Sequence, residues 1–216
     1  MGFPETPMIP HRTMTRFATT VLLATAYFAL AAASVGCGGG NDSTTTSAAP
    51  VALFTPDTAA PGAGTIALLA GSSSGASANV RVTVTGVPVF FGAAFRIKYD
   101  PTALLFNGMT SSASFLLSGP GVTANDVIIL ASPASTPGEI VITATLKDPT
   151  VVGPVAVTAT SDLVVLNFQA RKVIAPAAAA GRVDFGDPKQ VCDGTVAPPG
   201  CGAVTVTWSG GGLSAQ

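Results

Sequence analysis

The chain has 216 residues, a formal net charge of −1 and 48% hydrophobic residues. That length fits one domain, with or without a tail, and such a domain buries roughly 70% of the surface that its unfolded chain exposes. The basic residues form no stripe or cluster of the kind that binds nucleic acid, so we expect no nucleic acid among the partners.

The first 36 residues are typical of an export signal. The apolar run at residues 21–33 is shorter than the roughly 20 residues that a membrane-spanning helix needs, but it suits a signal peptide. Small residues then lead to Cys37, which resembles the lipobox of bacterial lipoproteins, although Ser34 stands where that motif usually has Leu. We predict a lipoprotein signal peptide at residues 1–36 and lipidation of Cys37. Cleavage of an ordinary signal peptide is the alternative, and Met14 is an alternative start residue.

Composition divides the rest of the chain into three parts. Residues 37–62 are rich in Gly, Ser, Thr, Ala and Pro, which predicts a flexible tether. Residues 63–212 are predicted to form the folded domain, and residues 213–216 a short tail. The expected location is the cell envelope, where the lipid holds the domain at a membrane, most simply the outer membrane.

Two cysteines remain once Cys37 is assigned to the lipid. Cys192 and Cys201 would then lie in an oxidising compartment, where a disulfide is the usual fate of such a pair. We therefore predict a disulfide between them.

Alternation of apolar and polar residues predicts strands along the whole domain. In residues 94–99, for example, Phe95, Ile97 and Tyr99 are expected to face a core while Arg96 and Lys98 face solvent. Similar patterns predict strands at residues 65–70, 80–84, 104–106, 127–131, 139–146, 161–172, 182–185 and 203–208. No stretch after the leader shows sustained helical periodicity, so the pattern favours an all-β sandwich or jelly roll.

Four segments in a fixed order resemble the cohesin domain family. The first is GAAFRIKYDPTALLF at residues 92–106, and the others lie at residues 138–149, 163–172 and 181–208. The resemblance implies a nine-stranded jelly-roll β-sandwich related to carbohydrate-binding modules. It also implies a protein-binding role, because cohesins hold the dockerin modules of polysaccharide-degrading enzymes on one sheet face.

The family topology would place four of the predicted strands on one exposed sheet face. Their alternation then directs six side chains outward as a candidate partner-binding surface: Arg96, Lys98, Thr143, Thr145, Arg182 and Asp184. An ordinary solvated face with mixed charges is the alternative.

Catalytic residues are scarce in this sequence. His11 is the only histidine and lies in the leader, which excludes Ser-His-Asp and Cys-His catalysis and the usual zinc sites from the mature chain. Glu139 is the only glutamate after the leader, so a glycosidase would depend on aspartates. We predict a non-enzymatic module without cofactor or metal.

Two further features leave alternatives open. The acidic residues Asp184, Asp187 and Asp193 fit either a calcium site or ordinary strand-end turns. Trp208, the single tryptophan, is either a sugar-stacking residue or a plug at the edge of the core. The prediction is therefore a protein-binding module, with a carbohydrate-binding module or a surface adhesion protein as the alternative and polysaccharide as a second candidate partner.

Overall fold

Short β-strands form most of the computed structural model, which describes residues 50–195 and 201–216. The strands in these ranges are β1 (Ala52–Pro56), β2 (Thr65–Ser74), β3 (Ser77–Thr85), β4 (Val87–Phe90), β5 (Gly92–Tyr99), β6 (Leu104–Ser111), β7 (Val127–Pro133), β8 (Glu139–Leu146), β9 (Val155–Val157), β10 (Ser161–Ala170), β11 (Arg182–Cys192), β12 (Thr207–Ser209) and β13 (Gly211–Ala215). The helices described are short 3-10 turns at Ser114–Ser118 (η1), Ala124–Asp126 (η2) and Ala179–Gly181 (η3). None of them is long and apolar enough to cross a membrane.

A six-stranded sheet and a five-stranded sheet pack on each other as a sandwich. The strand order is β1-β13-β11-β5-β8-β7 in the first sheet and β12-β2-β3-β10-β6 in the second, while β4 and β9 form a separate pair. Neighbouring strands are antiparallel, except that β12 runs parallel to β2. The predicted all-β jelly-roll sandwich is confirmed.

Aliphatic side chains and phenylalanines fill the space between the two sheets. In β5, Phe95 and Ile97 are buried, whereas Arg96 is half-buried and Lys98 exposed, as the alternation predicts. Tyr99 is only partly buried, and its ring packs edge-on against Phe168 with 5.3 Å between the ring centroids. Burial raises the pKa of the Tyr99 hydroxyl above its usual value.

The turn after β5 carries the chain from one sheet to the other, since β6 lies in the five-stranded sheet. Asp100 stabilises this turn because its carboxylate accepts hydrogen bonds from the backbone N–H of Thr102 at 2.8 Å and from its hydroxyl at 2.7 Å. These bonds lower the pKa of Asp100. The chain between β5 and β6 therefore crosses from one layer to the other and does not close a hairpin within one sheet.

The predicted tether and tail are both wrong where they overlap strands. Strand β1 lies inside the tether predicted at residues 37–62, and β13 includes most of the tail predicted at residues 213–216. The two strands pair along their length, from Ala52 with Ala215 to Pro56 with Gly211. Their many small residues hide the alternation in the sequence, although Ala52 and Ala215 are fully buried.

Gly211 shows why a glycine is needed in this short strand. A Cβ at this position would meet the ring of Phe54, and it would come within 2.8 Å of the Thr55 carbonyl oxygen. At Gly212 no atom lies within 4 Å of a Cβ, because that position faces outward. The glycines at the chain end are thus part of a packed sheet.

Two further expectations differ from the structure. The described residues hold thirteen strands instead of nine, because β1 and the short strands at the sandwich margins add to the family pattern. The strand predicted at residues 203–208 is reduced to Thr207–Ser209. Ala203 still bridges to Cys192 of β11 in the six-stranded sheet, so the chain crosses to the other layer between Ala203 and Thr207, where β12 begins. The predicted signal peptide and Cys37 lie outside the described residues.

Candidate functional site

Four neighbouring strands of the six-stranded sheet, β11, β5, β8 and β7, form a continuous outward surface, which we call the docking face. Register aligns its side chains in rows across the strands. Asp184 lies opposite Lys98, and Lys98 lies opposite Glu139. In the next row Arg96 lies opposite Val141, and in the row after that Ala94 lies opposite Thr143. All six residues that the sequence predicts for the partner-binding surface lie on this side of the sheet.

One end of the docking face is charged. Arg96 donates to a Glu139 carboxylate oxygen at 2.7 Å, and the Lys98 ammonium lies 3.6 Å from the other oxygen. Glu139 thus connects two cations on the adjacent strand. Its side chain is only 16% exposed, which makes this ion pair the best shielded on the face.

Arg182 organises the second charged cluster, at the border of the face. Its guanidinium donates to both carboxylate oxygens of Asp57, at 2.8 and 2.9 Å, and its Nε donates to Asp184 at 3.1 Å. Hydrogen bonding from Arg182 lowers the pKa of Asp57, and the two carboxylates raise the pKa of Arg182. These groups are about 40% exposed, so water screens the pairs and they contribute little to folding stability. The two clusters together contain three cations and three anions, which leaves this end without net charge.

The other end of the docking face is apolar. Leu130 in β7 is 61% exposed and Val141 in β8 is 38% exposed. Ala94 lies in the same row as Leu130, and Ile128 lies in the next row. Exposed aliphatic residues that are grouped in this way, beside a polar rim, are typical of protein-binding surfaces.

A bulge in β11 borders the apolar end. Pairing between β11 and β5 is interrupted from Gly186 to Gln190, which frees the residues between them from the ladder. Pro188, Lys189 and Gln190 then line a shallow depression of about 180 Å³ together with Arg96 and Val141. A second open depression, of about 370 Å³, lies at the charged end and is lined by Lys98, Arg182 and Asp184.

The two threonines of the predicted surface differ in what they offer a partner. Thr143 lies in the middle of β8, in one row with Ala94 of β5 and Leu130 of β7. Thr145 is partly buried and its hydroxyl donates to the Leu146 carbonyl at 2.9 Å. Thr143 is therefore the better placed of the two for contact.

Sequence reasoning missed two carboxylates of this site. The sequence marks Glu139 only as a catalytic candidate, although alternation along β8 places it on the same side as Thr143. Asp57 fell within the predicted tether. Its partner Arg182 is 125 positions away, so no local pattern reveals the pair.

A disulfide closes the loop beside the docking face. Cys192 and Cys201 are bonded, with 5.2 Å between their Cα atoms. Cys192 ends β11, and the next residue donates its backbone N–H to the Gly202 carbonyl at 2.9 Å. The link fixes the end of β11 next to Gly92 of β5.

Trp208 belongs to an aromatic cluster at the margin of the core. Its ring centroid lies 4.9 Å from that of Phe185 and 5.6 Å from that of Phe95. Phe95 and Phe185 also pack edge-on against each other, at 5.4 Å. This packing favours the plug over the sugar-stacking platform.

The three aspartates considered for calcium have separate partners. Asp184 pairs with Arg182, and Asp187 lies 3.4 Å from the Lys189 ammonium. Asp193 accepts hydrogen bonds from the backbone and the hydroxyl of Thr195, which lower its pKa. Within residues 50–195 and 201–216 no group of three or more His, Cys, Asp or Glu residues is arranged to hold a metal ion. These contacts favour the strand-end and turn interpretation.

Comparisons with known proteins give one match at the level of a family. The model of the cohesin domain family matches residues 65–190. This range includes all four strands of the docking face, although β11 is matched only in part. No curated protein matches the chain.

Solved structures of cohesins are similar to this chain at low sequence identity. The sixth cohesin of Acetivibrio cellulolyticus scaffoldin B, solved in complex with a Cel5 dockerin, is 18% identical, with 73% of this chain and 93% of that one covered and a TM-score of 0.45. Type II cohesin A11 from Bacteroides cellulosolvens is 12% identical, with 76% and 97% covered and a TM-score of 0.47. A non-cellulosomal cohesin from Archaeoglobus fulgidus is 10% identical, with 74% and 88% covered and a TM-score of 0.41.

The family model extends over more than half of the chain and over most of its sandwich. Cohesin domains are non-catalytic modules that bind proteins. This chain belongs to the cohesin domain family.

Proposed function

We propose that this chain is a non-enzymatic, lipid-anchored protein of the cell envelope whose cohesin module binds a dockerin-like partner through the docking face. The observation that carries this proposal is the alignment of β11, β5, β8 and β7, which joins a balanced set of charges to an exposed aliphatic patch on one surface. Such a surface can bury apolar area at its centre while charged groups at its border select the partner.

The charges favour a partner of mixed polarity. Because Glu139 already neutralises Arg96 and Lys98, and Asp57 and Asp184 neutralise Arg182, a strongly acidic or basic partner gains little from the face as a whole. A partner gains more by covering the aliphatic end and exchanging single ion pairs at the charged end. A partner module that presents both kinds of group on one side meets these requirements.

The test is a titration of dockerin-bearing proteins against the chain and two variants with equal loss of charge. The first variant carries Arg96→Ala, Lys98→Ala and Arg182→Ala. The control carries Arg81→Ala, Arg171→Ala and Lys172→Ala, which remove three cations away from the docking face.

We expect the docking-face variant to bind at least about tenfold more weakly, since interface arginines are frequent hot spots. The control variant should bind as the unchanged chain does. Equal binding by all three chains would contradict the assignment of the face, and no dockerin binding by the unchanged chain would contradict the proposed partner class.

Lipid anchoring is a separate part of the proposal and rests on the sequence around Cys37. We expect the chain to incorporate labelled fatty acid in a bacterial host and to fractionate with the outer membrane. Cys37→Ser should abolish the labelling and release the protein from the membrane fraction. Labelling that persists in Cys37→Ser would contradict lipidation at this residue.

A link to polysaccharide breakdown would come through the partner, if the dockerin belongs to a polysaccharide-degrading enzyme. Direct glycan binding has less support, because the ring of Trp208 packs against Phe95 and Phe185. Capture of partners from the native envelope, followed by identification of their catalytic domains, tests this link.

A further inference from the structure

Strand β7 is the outermost strand of the six-stranded sheet and carries no charge along its length. The uncharged stretch continues from Val127 to Gly138. Edge strands of soluble proteins are usually blocked by charged side chains, by bulges or by a covering segment, since a free edge can pair with another strand. Apart from Pro133 at its end, β7 has none of the blocking residues.

The pattern of hydrogen bonds shows which backbone groups of β7 face the free edge. The backbone N–H of Lys147 donates to the Asp126 carbonyl at 2.9 Å, and the backbone N–H of Ala134 donates to the Glu139 carbonyl at 2.9 Å. In an antiparallel ladder the bonded residues alternate, so the even-numbered residues of β7 bond to β8. The N–H and C=O groups of Val127, Ile129 and Ala131 therefore point away from the sheet. Within residues 50–195 and 201–216 they have no hydrogen-bond partner.

A groove lies beside this free edge, between β7 and the η1 region. It has a volume of about 430 Å³ and is lined by Ser111, Ser112, Ala113, Ser114, Leu117, Ala124, Val127 and Ile129. Val127 and Ile129 contribute their inner side chains, which are only partly buried, and Leu117 is 45% exposed. A strand added to β7 would project every second side chain over this groove.

We propose that β7 pairs with β7 of a second copy of this chain, antiparallel and around a two-fold axis at Ile129. Three residue pairs would then exchange two hydrogen bonds each: Val127 with Ala131 of the second copy, Ile129 with its own counterpart, and Ala131 with Val127. These are the residues whose backbone groups are free. The six-stranded sheet of each copy would continue into that of the other.

The side chains match on both faces of this pairing. On the groove side, Val127 lies opposite Ala131 of the second copy and Ile129 lies opposite its own counterpart, so every pair is aliphatic. On the outer side, Ile128 lies opposite Leu130 of the second copy, so the aliphatic ends of the two docking faces adjoin. The two-fold axis also places Asp126 opposite Ser132 of the second copy, so that no like charges meet. This self-complementarity favours a second copy over an unrelated strand.

Pairing has a consequence that rests on the proposed function. The docking faces of the two copies would lie side by side on one continuous sheet surface, directed to the same side. A partner protein with two dockerin-like modules would then bind with higher avidity than a partner with one.

Cross-linking of the full chain in the envelope of a bacterial host tests the pairing. Leu130→Cys places a thiol close to its symmetry mate, and a short reagent with two thiol-reactive groups should yield a homodimer of twice the monomer mass. Val151→Cys is the matched control, because Val151 is 72% exposed and lies outside β7. We expect at least about tenfold less dimer from the control.

Addition of Ile129→Pro to Leu130→Cys separates strand pairing from mere proximity. Proline removes the free N–H at the two-fold axis. The substitution breaks no hydrogen bond between β7 and β8, because this N–H points to the free edge. The cross-linked homodimer should fall about tenfold or more. Circular dichroism of the purified variant checks that it remains folded. If it does not, Leu130→Lys and Val151→Lys are compared by sedimentation equilibrium, and only Leu130→Lys should weaken self-association.

The outcomes divide clearly. Absence of a homodimer, equal cross-linking of Leu130→Cys and Val151→Cys, or a product with the mass of a different protein would each overturn the pairing. A homodimer that depends on residue 129 would support it even if no dockerin binds. Dockerin binding by a strictly monomeric chain would leave the proposed function intact and overturn only this inference.

Discussion

Replacement of Trp208 by alanine separates a structural role of this residue from sugar binding. The ring makes two aromatic contacts, with Phe95 and Phe185, and each contact is worth about 0.5–1.5 kcal/mol beyond the burial of area. Fully buried Trp or Phe to Ala changes cost about 3–5 kcal/mol, and Trp208 is only partly buried. We therefore expect Trp208→Ala to lower the free energy of unfolding by about 2–4 kcal/mol.

Trp208→Phe is the matched control, since it keeps an aromatic ring in the cluster and should lose only about 1 kcal/mol. The assay is denaturant unfolding followed by far-UV circular dichroism, together with retention of each variant on insoluble polysaccharides. We expect a loss of stability in Trp208→Ala and no retention of any of the chains on the polysaccharides. Unchanged stability, combined with polysaccharide retention that disappears in Trp208→Ala, would refute it and restore the carbohydrate-binding alternative.

Three further predictions concern the stability of the sandwich. Replacement of both Cys192 and Cys201 by serine should reduce the free energy of unfolding by about 2.7 kcal/mol, the value expected from the entropy of closing so short a loop. An unchanged midpoint of denaturant unfolding would contradict this. Gly211→Ala should destabilise the fold by about 1–3 kcal/mol and Gly212→Ala by much less, and equal thermal stability of the two variants would argue against a packed β13. The lowered pKa of Asp126 implies a contribution to stability that is present above the unfolded pKa of about 3.9 and is lost as the pH falls below it. Asp126→Asn should therefore lose less stability than the unchanged chain between about pH 5 and pH 3, and parallel pH profiles would count against this.

The strands that carry alternation could be predicted from the sequence, and they include those of the docking face. In β5 and β8 large apolar residues alternate with polar ones, so the period of two fixes which side chains point outward. Alternation places Arg96 on the solvent side of β5, and together with the family topology it places Thr143 on the same face. Pairing of these strands with each other came only from the family resemblance.

Strands made of small residues could not be predicted in the same way. In β13 the buried positions are Gly211, Leu213 and Ala215, and their composition resembles that of a linker. The sequence gives no sign that Phe54 needs a glycine beside it, because the two positions are far apart in the chain. The ends of the domain were misplaced for this reason.

Long-range electrostatic partners and the open edge were also beyond a sequence-based prediction. Arg96 and Glu139 are 43 positions apart, and they meet only because β5 and β8 pair with Lys98 opposite Glu139. Whether β7 is an edge or a central strand depends on the topology of the sheet, which its own residues do not determine. The neutral charge balance and the open edge of β7 are therefore visible only in the folded chain.

Binding of a protein partner on the docking face can be detected by a methyl NMR footprint. The side-chain methyl groups of Leu130 and Val141 report on the docking face, whereas those of Leu105 and Val165 report on the five-stranded sheet. On addition of a dockerin module, we expect shifts or broadening at Leu130 and Val141 and unchanged signals at Leu105 and Val165. Perturbation of the five-stranded sheet with an undisturbed docking face would contradict it.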